Sequence, residues 1–77
     1  MHTLYIGGLP PDASAETLRE LFGGISGLCS VRVVTCDEGT CRGFGYVTFD
    51  NREAIYEARR KDGTRLGDHV LRVARAR

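Results

Sequence analysis

Arg42-Gly43-Phe44-Gly45-Tyr46-Val47-Thr48-Phe49 alternates in side-chain character at nearly every step, and a period of two is the mark of a strand with one buried and one wet face. Gly45, Val47 and Phe49 form one set, and Phe44, Tyr46 and Thr48 the other. If Val47 and Phe49 face a core, Phe44 and Tyr46 must point to solvent. A second run, Leu4-Tyr5-Ile6, alternates apolar, aromatic, apolar before Gly7-Gly8-Leu9-Pro10-Pro11, as a half-buried strand does where it enters a turn. Its outward residue is again an aromatic, Tyr5.

Working outward, Ser14 is a good N-cap, and Ala15, Leu18, Leu21, Phe22 and Ile25 then recur at helical spacing. That helix ends at Gly23-Gly24 or at the turn through Ser26-Gly27. Leu28 to Thr35 is rich in β-branched residues, with Val31 and Val33 on one side and Arg32 and Val34 on the other, and predicts a strand. The short loop Asp37-Glu38-Gly39-Thr40 joins it to the strand Arg42–Phe49. A second helix starts either at Asp50, with Glu53 three residues on, or at Asn51. Its apolar stripe is Ala54, Ile55 and Ala58, and Asp62-Gly63 closes it. His69-Val70-Leu71-Arg72-Val73 reads as a last strand, followed by the basic tail Arg75 and Arg77.

The order βαββαβ predicts an α+β, ferredoxin-like sandwich: a four-stranded antiparallel sheet with two helices on one face. Residues 1–77 are expected to form one domain, since 77 residues at 42% hydrophobic composition supply one modest core. Right-handed crossovers put the strands carrying Tyr5 and Phe44 side by side in the middle of the sheet. Three rings, Tyr5, Phe44 and Tyr46, then share the uncovered face, an apolar patch that solubility would disfavour unless it binds something. Flat rings on neighbouring strands suit stacked bases.

Bulk charge says little. Eleven Lys and Arg against ten Asp and Glu leave a net charge of +1, so any basic footprint is local. Lys61 is the one lysine, and guanidinium groups suit phosphates and stacking. Met1-His2-Thr3 leads into an apolar segment too short for a secretory or spanning stretch. The expectation is therefore a soluble, intracellular protein, cytoplasmic or nuclear, with no membrane contact. Three cysteines, Cys29, Cys36 and Cys41, argue for reduced thiols in that setting.

The octapeptide Arg42 to Phe49 resembles a signature of the RNA recognition motif family, and Leu4-Tyr5-Ile6-Gly7-Gly8-Leu9 resembles its hexapeptide partner, with Gly8 where asparagine is commoner. The resemblance covers essentially the whole chain. It implies that Tyr5 and Tyr46 stack on successive bases, that Phe44 lies against the sugars between them, and that Arg42 pairs with a phosphate. Arg32 and Arg72 have outward parity, and with Arg75 and Arg77 they are expected to form a basic rim. Glu16, Glu20, Glu53 and Glu57 fall on the helices, on the far side. The implied partner is single-stranded RNA at a short, weak, salt-sensitive site, bound by a monomer.

The stretch from the second helix to the last strand departs from the family pattern. Arg60, Lys61 and Asp62 stand where a large apolar residue is usual, and Leu66 is a candidate to fill the gap. Cys36 and Cys41 flank the hairpin loop and could face each other, but the plain reading is two reduced thiols. With His2 or His69 they make no zinc spacing, so no metal or cofactor is expected. A protein partner on the helical face is the rival reading. Family members that use it usually carry Arg-x-Phe after the second helix, whereas this chain has Arg65-Leu66-Gly67. No nucleophile-base pair converges on one surface, and an enzyme is not expected.

Overall fold

Apolar alternation in the strands and a three-to-four spacing in the helices place one set of side chains in a shared interior. The computed structural model describes residues 1–76, and it contains β1 (His2–Gly7), α1 (Ala15–Phe22), β2 (Leu28–Thr35), β3 (Cys41–Phe49) and α2 (Arg52–Arg59). Three short strands follow: β4 (Arg65–Leu66), β5 (His69–Val70) and β6 (Arg72–Arg75). The main sheet has the order β2-β3-β1-β6, and every pairing in it is antiparallel. As expected from the crossovers, β1 and β3 are central.

The register makes the two faces explicit. Leu4 lies opposite Val47, and Tyr5 opposite Tyr46. Leu4, Ile6, Val47 and Phe49 are fully buried beneath Leu18 and Phe22 of α1 and Ala54, Ile55 and Ala58 of α2. The Phe22 and Phe49 rings meet edge to face at 6.5 Å, a geometry that adds to their burial. Both helices therefore cover one face, and the other is bare.

Helix ends follow local chemistry. Asn51, rather than Asp50, caps α2, because its side-chain oxygen accepts the Ala54 N–H at 2.8 Å. The Ser14 N–H donates to the Thr17 hydroxyl at the start of α1. That helix stops at Phe22, with Gly23 as its C-cap. Ile25 still enters the core, from the loop rather than from the helix.

The C-terminal run divides where the sequence predicts one strand. β5 pairs with β4 around Gly67, whose φ of 63° only glycine adopts easily, and β6 alone joins the main sheet beside β1. The break is at Leu71. Its N–H donates to the Thr64 carbonyl, its own carbonyl accepts from Gly63, and its side chain is fully buried. Leu66 packs against the core from the side hairpin, as anticipated for that gap.

The three cysteines are free. Cys41 is buried and its sulfur accepts the Gly43 N–H. Backbone hydrogen bonds, from Glu38 and then from Thr40, hold the Cys36 thiol below its ordinary pKa.

Two outcomes are expected. Phe49→Ala should cost about 3–5 kcal/mol in urea denaturation, out of a total of about 4–12 kcal/mol for a chain of this size. Leu66→Ala should cost clearly less, and a loss equal to that of Phe49→Ala would place the side hairpin in the main core. In alkylation, a lowered pKa means more thiolate at a given pH. Cys36 should therefore react below the pH at which an ordinary thiol does, while Cys41 reacts only on unfolding.

Candidate nucleic-acid interface

On the bare face the side chains lie in rows across the strands. Arg32 of β2, Tyr46 of β3, Tyr5 of β1 and Ala74 of β6 form one row, and Phe44, Gly7 and Arg72 form the next. The rings of Tyr5 and Phe44 are 5.9 Å apart and inclined by only 28°. Tyr46 stands edge-on to both, at 6.1 Å from Tyr5 and 6.2 Å from Phe44. Mutual contact leaves each ring half-exposed, so the three make one continuous aromatic surface.

Gly7 is what lets that surface lie flat. Its own position has the same parity as Tyr5, and a Cβ there would stand 2.8 Å from the Tyr5 ring carbon Cε1 and hydroxyl oxygen. The Tyr5 ring thus rests on the Gly7 backbone, along its own strand. Gly45 does a different job on the other face, where a Cβ would collide with the Arg32 carbonyl of β2.

Electrostatics are sorted by element. β1, β2, β3 and β6 contain no aspartate or glutamate, and all ten acidic residues sit in helices and loops. The near-zero net charge therefore hides a sheet whose only charged groups are cationic. The Arg32 guanidinium carbon lies 5.7 Å from the centre of the Tyr46 ring, a cation–π contact worth about 0.5–1 kcal/mol at an exposed site. Arg42 is exposed at the start of β3, with the parity of Phe44 and Tyr46.

The remaining arginines separate. Arg72 has the parity of Gly7 and Phe44 but forms an ion pair with Asp62, Nε to Oδ1 3.7 Å. The same carboxylate oxygen accepts the Val73 N–H at 2.8 Å. With side-chain exposures of 74% and 49%, the pair contributes about 0–1 kcal/mol and yields readily to another anion. Arg75 lies opposite Leu4 in the register, and so has core-side parity. It lines a cleft shared with residues of α2 rather than the ring face, and the expected rim loses it. Arg77 lies outside the described residues.

The sequence reading did not single out a set of hydroxyls beside Tyr46. Thr3 and Thr48 face each other across β1 and β3 with their oxygens 3.1 Å apart, and with Ser30 and Arg32 they line a shallow groove running up to the Tyr46 ring. Thr3 shares the parity of Tyr5, and Thr48 that of Tyr46. The same alternation that exposed the rings was enough to find them.

Known proteins place this architecture. The chain matches the sequence model of the RNA recognition motif over residues 4–72. It is 47% identical over 58 residues to human RNA-binding protein 28, covering 73% of this chain and 8% of that protein. It is 36% identical over 74 residues to polyadenylate-binding protein 7 of Arabidopsis thaliana, covering 95% and 12% respectively. The chain thus spans a small part of the length of these relatives. Among solved structures, the second such domain of the yeast poly(U)-binding protein superposes with a TM-score of 0.90 at 28% identity, covering all of this chain and 95% of that one. With both signature strands central, their rings on the bare face and the family match running through nearly every element, the chain belongs to the RNA recognition motif family.

Proposed function

We propose that this domain binds short single-stranded RNA on the bare face of its sheet, with bases stacked on Tyr5 and Tyr46. The observation that carries this reading is the continuous three-ring surface on strands without a single carboxylate. Such a surface attracts a polyanion and offers its bases something flat. Phe44, nearly parallel to Tyr5, takes the sugars between the two stacked bases. Arg42 meets a phosphate, and Arg72 exchanges Asp62 for one.

Arg32 has a more particular part. Its guanidinium occupies ground beside Tyr46 that a stacked base needs. A base stack is worth about 1–3 kcal/mol, more than the exposed cation–π contact it replaces. The incoming base therefore displaces Arg32, which is then free to donate to that base or to the backbone. Thr3, Ser30 and Thr48 supply hydroxyls at the same end of the platform.

Magnitude sets the character of the complex. Two stacks give about 2–6 kcal/mol, while a micromolar complex needs about 8 kcal/mol. Phosphate contacts must make up the difference, which ties affinity to ionic strength. Single strands are favoured over duplexes because their bases can be splayed onto the rings.

NMR titration with short single-stranded RNA pools tests the reading: resonances of Tyr5, Phe44 and Tyr46 should shift first. Silence there at high RNA concentration, with a peptide instead moving α1 or α2, would overturn it. Phe44→Ala and Tyr46→Ala should each weaken binding by about 1–3 kcal/mol with little change in thermal stability, and large unfolding would assign the rings to the core. Gly7→Ala should lift the Tyr5 ring off the sheet, lowering RNA affinity while the fold holds; unchanged affinity would remove Tyr5 from the stacking set.

A further inference from the structure

The placement of Arg75 opens a second basic feature, on the side of the molecule away from the rings. A cleft between α2 and the edge of the sheet is lined by Arg52, Ile55, Tyr56 and Arg59 of α2, Arg75 of β6 and His2 of β1. Among the described residues, no acidic side chain lines it. None of the three arginines forms an ion pair among the described residues, where the one salt bridge is Arg72 to Asp62.

Several features of α2 suit this arrangement. Residues 52, 55, 56 and 59 fall on one helical stripe, with the two arginines about 10 Å apart along the axis. Glu53 and Glu57 line a different cleft, toward Ser26 and Asn51, so the helix is sorted by charge around its circumference. Arg52 stands at the helix N-terminus, where a cation opposes the macrodipole. Helix stability does not explain it. Tyr56 is a ring 65% exposed at the mouth of the cleft, with no partner ring among the aromatic contacts of the described residues.

What the cleft takes is indicated by where it leads. Thr3 and Ala76 line it, and the same two residues line the hydroxyl groove that runs up to Tyr46 on the bare face. The Ala76 N–H donates to the Thr3 carbonyl, so these two residues form one rim where β1 begins and β6 ends. The two grooves meet over that rim. A chain leaving the rings at the Tyr46 end crosses the rim and arrives among three arginines that form no ion pair among the described residues.

We infer that the α2–β6 cleft is a second phosphate site, which holds the RNA strand after it passes over the sheet edge, through Arg52, Arg59 and Arg75. This rests on the ring platform as the first site. An acidic peptide would also suit the charge, but the continuity with the ring groove favours a strand already bound next door.

The test compares tetramer and dodecamer single-stranded RNA pools on the intact domain, the R52Q/R59Q/R75Q variant, and a charge-matched control, R19Q/R60Q/R65Q, whose exposed arginines lie off the cleft. The cleft variant should bind tetramers as the parent does and dodecamers about tenfold more weakly, with the slope of log affinity against log salt reduced by about 2 for three phosphates. The control should change neither. Equal losses on both lengths, equal losses in both variants, or full dodecamer affinity in the cleft variant would each overturn the inference. So would an acidic peptide that shifts α2 resonances while the cleft variant keeps its dodecamer affinity. The tetramer arm separates the two readings: tetramers that leave Tyr5, Phe44 and Tyr46 unshifted sink the ring platform and this continuation with it, whereas ring shifts with normal dodecamer binding in the cleft variant sink the cleft alone.

Discussion

The pairing of β1 with β3 in one register, Leu4 opposite Val47 and Tyr5 opposite Tyr46, is the constraint on which both faces of the molecule depend. Side chains alternate with a period of two, so a slip of one residue on either strand would exchange its entire buried and exposed sets. A slip would carry Tyr5, or Phe44 and Tyr46, under the helices and bring Leu4 or Val47 to water. Four fully buried side chains, Leu4, Ile6, Val47 and Phe49, hold the register. The same burial that stabilises the domain thereby places the rings, and the platform needs no separate scaffold.

Holding three aromatics at a surface carries a liability, because an apolar patch invites association with other chains. The molecule limits this through local geometry. Tyr5 lies down over Gly7, and Phe44 packs nearly parallel to it. Arg32 covers part of Tyr46. Each ring hides part of its surface against another group, and the cover on Tyr46 is charged and displaceable. Gly7 and Gly45 sit at neighbouring positions of the two central strands, yet for unlike reasons. One makes room for a ring on the open face, and the other for the β2 backbone at the core side.

Most of this was legible in the sequence, because it follows from local periodicity. The alternation in Arg42–Phe49 gave the parity of β3, and the stripe Leu18, Leu21, Phe22 gave a face for α1. What escaped depends on contacts that no local pattern encodes. The single strand expected over His69–Val73 breaks at Leu71, since backbone groups of Thr64 and Gly63, seven and eight residues earlier, claim its N–H and carbonyl respectively. The Arg72–Asp62 pair is non-local in the same way. Arg75 is a different case: it lies three residues after Arg72 in β6, and that odd step places it opposite Leu4 on the helical side by alternation alone, although proximity in the sequence suggested a shared rim.

Charge shows the same division between what a sum conceals and what a fold separates. A net charge of +1 excludes a broad electrostatic field, and on that ground alone nucleic-acid binding would be hard to argue. Folding distributes the charges unevenly, however. The strands of the main sheet keep only cations, while the carboxylates go to helices and loops. Coulomb interactions are screened beyond about 8–10 Å at physiological salt, so a phosphate near the rings feels Arg32, Arg42 and Arg72 far more than Glu16 or Glu20 across the core. Local sorting thus does the work that a large net charge does elsewhere. It also makes the surface responsive to position, since an arginine on the other face, as Arg75 is, lies off the ring platform.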